Sequence, residues 1–533
     1  VHGSIRPSNI FNGGSSSYDR VILGDCLSAP ASYTQPAAFE TIERGMTDPI
    51  ARGPGTPSDD IYSLGATVAA LVRSQDPTMG LSDEDVVRMK MQQGSFTALT
   101  GRDRFAGTIL DFLRGTMHDD PEQRWTLEEI MAWLDGRRLN PKKTGKKYKA
   151  NRPLTFGDEQ YFYTADLAFD IEKNPTELRK IVEDGELENW LTRSFEKNKT
   201  SQRVEEALAM TRDGSQGKGL EDRLVCNLSC AMDIDAPLRY LGHHVMPDGF
   251  GAALADAFAR RKGLEVFHDI INQGLIMNWA RNQEGKSVDI SGIMSRFDGA
   301  RSFIRQDKTG FGLERCLYYL NAEARCMSER FDGYYVSSPD TLLAAYEDLC
   351  SKKKAPGNFL DRHIVAFLMA RDAKVIEGFL ADIRSDEHHR VILGQLKCLA
   401  SIQRTSQIGP LPHIAAAFNE MFPALYKRFH DEDMKDKIKK TADRFVQSGD
   451  LSKLAEIFDN QDVIHKDLKA FKIAMKTYQE LTKELNRIEG RLIDRAGFGR
   501  ETGHEIAAVI SSAIAGIIIL GVAFIYLGKG GMF

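Results

Sequence analysis

From about residue 152 to 500, most apolar positions recur at steps of three and four, as in Leu178, Ile181 and Val182, then Leu187, Trp190 and Leu191, then Leu342, Leu343, Tyr346 and Leu349. That spacing buries one face of a helix, and few runs alternate strictly as half-buried strands do. Polar turns such as Glu183-Asp184-Gly185 separate short helices, and no fixed repeat length emerges. The region therefore predicts an α-helical array. The stretch Ser351-Lys352-Lys353-Lys354-Ala355-Pro356-Gly357 interrupts it, which predicts one helical region over 152–350 and a second over 358–496.

The second region ends in a long amphipathic pattern: Phe471, Met475, Tyr478, Leu481, Leu485, Ile488 and Leu492 form one continuous stripe. Such a stripe suits either a coiled-coil stalk or the last helix of the array, and packing within the chain is the expectation. The glycines between Gly497 and Gly503 then predict a flexible joint. Beyond it, Ile506 to Leu527 runs 22 residues without a charge. At about 1.5 Å per residue such a helix spans roughly 33 Å, enough for a hydrocarbon core near 30 Å, so 506–527 predicts a transmembrane helix. Arg487, Arg491, Arg495 and Arg500 precede this run and only Lys529 follows it. Excess Lys and Arg marks the cytoplasmic side, which places the bulk of the chain there, in a single-pass arrangement. Ser512 and Gly516 have the small-xxx-small spacing that lets helices approach, so a homodimer is open without further support.

The start of the chain follows a different logic. Val1-His2-Gly3-Ser4-Ile5-Arg6-Pro7-Ser8-Asn9-Ile10 resembles the catalytic loop of eukaryotic-type, including bacterial serine/threonine, protein kinases, which reads His-Arg-Asp-Leu-Lys-Pro-x-Asn. His2, Pro7 and Asn9 match; Arg6 stands at the Lys position, Gly3 at the Arg position, and Ser4 where the catalytic Asp belongs. Further landmarks follow in order. Asp25 keeps the metal-binding position of the Asp-Phe-Gly motif, with Cys26 and Leu27 in place of Phe and Gly. Thr41-Ile42-Glu43 is similar to Ala-Pro-Glu, Ser58-Asp59-Asp60-Ile61-Tyr62-Ser63-Leu64-Gly65 looks like the start of the large central helix, and Asp119-Asp120-Pro121-Glu122-Gln123-Arg124 looks like the Asp-Pro-x-x-Arg signature.

The resemblance covers about residues 1–138 and implies a kinase C-lobe whose chemistry has decayed. A serine hydroxyl cannot accept a proton near neutral pH, so Ser4 removes the base that orients the acceptor hydroxyl. His2, Glu43, Asp60 and Arg124 would be structural landmarks: Asp60 would accept hydrogen bonds from the backbone around His2, and Glu43 would pair with Arg124. Asn9 and Asp25 would hold Mg2+ and, through it, ATP. The family's glycine-rich loop, ATP-binding Lys and paired Glu would lie upstream of the catalytic loop, so nucleotide binding is conditional on an N-lobe missing from this sequence. The resemblance implies a membrane-anchored pseudokinase, a nucleotide-responsive or purely scaffolding signalling module that recruits protein partners. A working serine/threonine kinase acting on protein substrates through a degenerate loop, and a helical adaptor with a vestigial kinase part, remain open.

Composition changes this picture little. Among 533 residues, 42% are hydrophobic and 27% charged, enough for two or three domains, and a net charge of -5 argues against a nucleic-acid partner. The basic run Arg137 to Lys149 carries seven cations and no acid. Residues 139–151 are read as a solvated linker, with anionic lipid as the rival contact. Seven scattered cysteines suit a reducing compartment. Cys226 and Cys230 precede His243 and His244, but adjacent histidines lack zinc-finger spacing, so packing on a helix face is the expectation for the two cysteines.

Overall fold

The computed structural model describes residues 1–14, 20–24, 29–74, 78–143, 148–195, 199–214, 219–283 and 289–529. It is mainly helical, with 66% helix and 4% strand, which bears out the fold class at that level. The strands form three separate antiparallel hairpins: β1 (Ile10–Asn12) with β2 (Val21–Leu23), β3 (Leu154–Phe156) with β4 (Glu159–Tyr161), and β5 (Leu238–Tyr240) with β6 (His243–Val245). In the third, Leu238 faces Val245 and Tyr240 faces His243 across a two-residue turn, Leu241-Gly242, with both φ angles positive. Positive φ at both central residues matches the right-handed twist of the flanking strands.

The chain forms two compact units, residues 1–346 with 356–384, and residues 347–355 with 385–533. This partition differs from the one expected at 351–357. Glu347 accepts the amides of His413 (2.9 Å) and Ile414 (3.0 Å) at the start of the helix Pro412–Asn419, which draws 347–355 into the second unit. Residues 356–384 return to the first, where Arg384 donates to the Thr309 carbonyl and Tyr318 hydrogen-bonds His363.

Within the first unit, residues 1–138 are not set apart by a free linker. Leu139 packs on the core built from Phe39, Tyr62, Leu113, Trp125 and Ile130. Ala150, at the far end of the basic run, is buried and donates its amide to the Phe162 carbonyl at 2.8 Å. Arg88 grips Asp170 with two bonds of 2.7 Å, and the fully buried Arg239 donates to the Met46 sulfur at 3.1 Å. These charge-assisted contacts knit the first 138 residues to the helices that follow.

Helix α1 (Pro57–Arg73) is specified locally. Proline occupies its first turn, and Thr56 and Asp59 form a reciprocal capping box that satisfies amides the helix itself cannot pair. Its inner face buries Tyr62, Ser63, Ala66, Ala69 and Ala70. Gly65 is required there, because a Cβ would stand 2.3 Å from the Thr116 hydroxyl on the neighbouring helix Gly107–Thr116.

In the second unit, α2 (Gln461–Ile493) is followed by α3 (Arg495–Lys529), which is long and apolar enough to cross a membrane and is fully exposed. The expected joint at Gly497–Gly503 is instead helix. The break falls at Asp494, whose carboxylate accepts the Gly497 amide at 2.8 Å and so starts the next helix. The apolar stripe of α2 packs within the chain only at its first residue, which departs from intramolecular packing and leaves the stalk open. Phe471 stacks on His430 with ring centroids 3.8 Å apart, whereas Tyr478, Leu481, Leu485, Ile488 and Leu492 are exposed.

Candidate functional site

The motif residues of the first segment converge on one end of α1. Asp60, in the first turn, turns outward from its own helix and accepts the backbone amides of His2 (2.6 Å) and Gly3 (2.8 Å). Two amides on one carboxylate fix the backbone of the loop more firmly than neutral acceptors would. The His2 ring closes the turn, its Nδ1 accepting the Ser4 amide at 3.2 Å. Gly3 has φ +67° and its carbonyl accepts the Ser32 amide at 2.8 Å; a Cβ here would lie 2.7 Å from that of Ala31. Residues 31–32 therefore pack where any side chain at position 3 would begin.

Ser4 is 5% exposed and its hydroxyl has no hydrogen-bond partner among the described residues. A buried alcohol that no described side chain engages is, among the described residues, poised neither to take a proton nor to attack. Arg6 is committed elsewhere, donating to the Thr34 carbonyl (2.8 Å) and to the hydroxyls of Thr34 and Ser8 (both 3.2 Å). Asn9 is buried, and its amide nitrogen spans the carbonyls of Ser4 (2.8 Å) and Gly24 (2.6 Å). It thereby clamps the loop to the end of the β1–β2 hairpin.

Asp25, Cys26 and Leu27 lie outside the described residues. Among the described residues the proposed magnesium ligands thus reduce to the single side-chain oxygen of Asn9, and no cluster of three or more His, Cys, Asp or Glu could hold a metal ion.

Arg124 does not make the expected bidentate pair with Glu43. Its guanidinium donates to the carbonyls of His118 (2.9 Å) and Ser58 (2.9 Å) and to the Ser58 hydroxyl (3.0 Å), pinning the turn before Trp125 to the start of α1. Its closest carboxylate is Asp59, at 3.9 Å. Glu43 feels Arg124 through space: burial raises the Glu43 carboxyl above its usual range and the arginine's charge pulls it back.

The carboxylate that this part of the fold truly buries is Glu40. It lies 3.8 Å from Arg52, both side chains nearly inaccessible, and Arg52 also donates to the Ser32 and Gln35 carbonyls at 2.7 Å. Lys90 is fully buried beside it, donating to the Ala37 carbonyl at 2.9 Å and to the Glu40 carbonyl. Burial pushes the Glu40 carboxyl up to about 7, against the pull of Arg52, and burial brings the Lys90 ammonium down to about 8. Sequence reasoning passed over all three. The signal for Lys90 was present: it shares the inner face of the helix Asp83–Gln93 with Val86, Val87 and Met91, a place where a cation must be paired.

Next to this cluster, Arg44 bonds Asp59 (3.1 Å) and Asp248 (3.3 Å). The Asp48 amide donates to the His244 carbonyl (3.0 Å), while the Asp48 carboxylate accepts the His244 amide (3.1 Å). Residues 44–53 are thereby fastened to the β5–β6 hairpin and the turn after it. His243 and His244 face Asp48 and Glu172 respectively, while Cys226 and Cys230 are buried one turn apart on the helix Leu220–Met232, where the neighbouring Cys230 and then burial raise the Cys226 thiol well above its usual range. An open cavity of about 430 Å³ in the second unit, lined by Asn419, Tyr426, Lys435, Lys439 and Asp443, brings none of the motif residues together.

Comparisons with protein-family models, with curated proteins and with solved structures found no match to this chain.

Proposed function

We propose that the chain is a membrane-anchored, protein-kinase-like scaffold, a pseudokinase whose loop frame presents a surface to protein partners and transfers no phosphate. The observation that carries this reading is the pairing of a held loop with an absent base. Asp60 fixes the His2 and Gly3 amides and Asn9 clamps the loop's far end, yet the residue between them, Ser4, is a buried alcohol without a partner among the described residues. Phosphoryl transfer depends on positioning and electrostatics. Here the positioning groups serve the backbone, and no described carboxylate replaces the base.

The attachment of residues 44–53 to 244–248 supports the same reading. In the kinase-like order of motifs this stretch lies between Glu43 and Asp60, and the hydrogen bonds of Arg44 to Asp248 and of His244 to Asp48 hold it against the helical region. A segment fastened in this way suits a fixed recognition surface better than a substrate channel. The flanking arginines put the bulk of the chain on the cytoplasmic side of a single span at 506–527. Mg2+ and ATP would enter only through Asn9, Asp25 and an N-lobe supplied by residues beyond this sequence.

Proximity labelling from the full-length protein in its native membrane separates a scaffold from an enzyme. Asp60→Ala is expected to lose the neighbours that the wild type labels, and Asp25→Ala to keep them. The reverse pattern would mean that metal-dependent chemistry, not the frame, does the work.

A further inference from the structure

The exposed stripe of α2 has a period that names its occupant. Phe471, Ala474, Tyr478, Leu481, Leu485, Ile488 and Leu492 follow one another at alternating steps of three and four, so they fill every a and d position of three consecutive heptads and the a position of a fourth. The mean step is 3.5 residues, the repeat at which helices wind around each other with a left-handed supercoil, and not the 3.6 of a straight helix lying on a globular core. His430 covers Phe471, and Ala474 to Leu492 are left open. We infer that residues 471–492 form a parallel coiled coil with a second copy of this chain.

The partner follows from what lies on either side. Only Ile493 and Asp494 separate Leu492 from α3, which is long and apolar enough to cross a membrane. Two copies held in one bilayer are parallel and at the same height, so equal a and d positions meet in register without further adjustment. The seam is about 33 Å long, and tethering in one membrane raises the effective concentration at which such a strip must compete. The inference rests on the membrane reading for this parallel orientation only.

The flanking positions add a signature peculiar to self-pairing. In a parallel pair the g position of one heptad meets the e position of the next heptad in the other copy. Here that sets Glu484 against Glu489 of the second copy, two like charges at the edge of the seam. A different protein as partner would be free to place a cation there. Self-association is therefore expected to strengthen with added salt, which screens the repulsion.

Sedimentation equilibrium of the full-length chain in density-matched detergent tests this. The wild type is expected to self-associate, Leu485→Asp to weaken the association at least tenfold, and Glu489→Lys, which turns the repelling pair into an attracting one, to tighten it about fivefold. Because Leu485 and Glu489 are exposed, both variants should keep the wild-type helix content by circular dichroism. A wild-type monomer, an oligomer indifferent to Leu485→Asp, or a Glu489→Lys chain that associates less would each overturn the inference. A chain that associates through this seam yet does not float with lipid vesicles would leave the coiled coil standing and remove the membrane reading.

Discussion

Around His2 the chain's donors find acceptors close by: two amides on Asp60, one on the His2 ring, the Asn9 amide on two carbonyls, and the Arg6 guanidinium on Thr34 and Ser8. Between Tyr478 and Leu492 the reverse holds, with five large apolar side chains and no covering element among the described residues. Both stretches are short and strongly patterned. One spends most of its donors inside the fold, so it is built to keep a shape, whereas the other has kept its interactions back, so it is built to meet something. A loop whose amides and cation are committed to holding its shape has little left for catalysis, and a helix that leaves an unbroken seam in water is stable only because its neighbours anchor it.

Substitutions in the two stretches should therefore differ most in what they do to the fold. All four tryptophans, Trp125, Trp133, Trp190 and Trp279, belong to the first unit, so intrinsic fluorescence during denaturation follows that unit. Asp60→Ala strands the His2 and Gly3 amides and is expected to cost about 4 kcal/mol, since hydrogen bonds to a charged group contribute about 1.5–3 kcal/mol each and do not add fully. A cost below about 1 kcal/mol would show that the loop holds itself.

The next effect depends on pH. Glu40 is held at about 7 in the folded chain against 4.5 for an ordinary glutamate. Between those values the folded state keeps a proton that the unfolded chain has released, so this group's contribution falls as the pH rises through the window. Lys90, held at about 8 against 10.5, behaves oppositely: its burial penalty is complete below about 8 and is relieved as the pH climbs toward 10.5. Glu40→Gln is expected to flatten the loss between pH 4.5 and 7 by about 3 kcal/mol, read from urea unfolding at a series of pH values. An unchanged slope would mean that Arg52 keeps Glu40 ionised throughout.

Gly3→Ala combines a left-handed backbone with a Cβ driven against residues 31–32 and should cost about 2 kcal/mol in the same assay. Leu485→Asp is the counterpart from the other stretch. At 55% exposure, Leu485 adds nothing to the tryptophan-reported unit, and its substitution should move that transition by less than about 0.5 kcal/mol. A larger shift would erase the contrast between the two stretches.

Sequence pattern made the long-range character of the chain legible and left its pairings obscure. The stripe from Phe471 to Leu492 and the uncharged run after Ile506 are periodic signals many residues long, and both lie on helices. His2 and Asp60 belong to two motifs 58 residues apart, and the fold joins them. The joint was misplaced because glycines suggest freedom, whereas a single capping carboxylate, Asp494, decides where a helix restarts. Arg124 was assigned to Glu43, but carbonyls of Ser58 and His118 took its donors, because a buried guanidinium has five of them and the nearest backbone competes for each. Glu40, Arg52 and Lys90 escaped notice since burial of a charge depends on contacts distant in sequence, such as Lys90 with Ala37. The division into units was hidden for the same reason: a few contacts, Glu347 to the helix at 412 and Arg384 to Thr309, move short segments from one unit to the other.

The central claim is that a retained loop frame has lost its phosphoryl-transfer chemistry. Incubating the full-length protein with radiolabelled ATP and Mg2+ beside its Asp25→Ala variant, and counting phosphate on protein over time, tests it most directly. The account predicts the same background labelling for both; label that accumulates on the wild type and vanishes with Asp25 would contradict it.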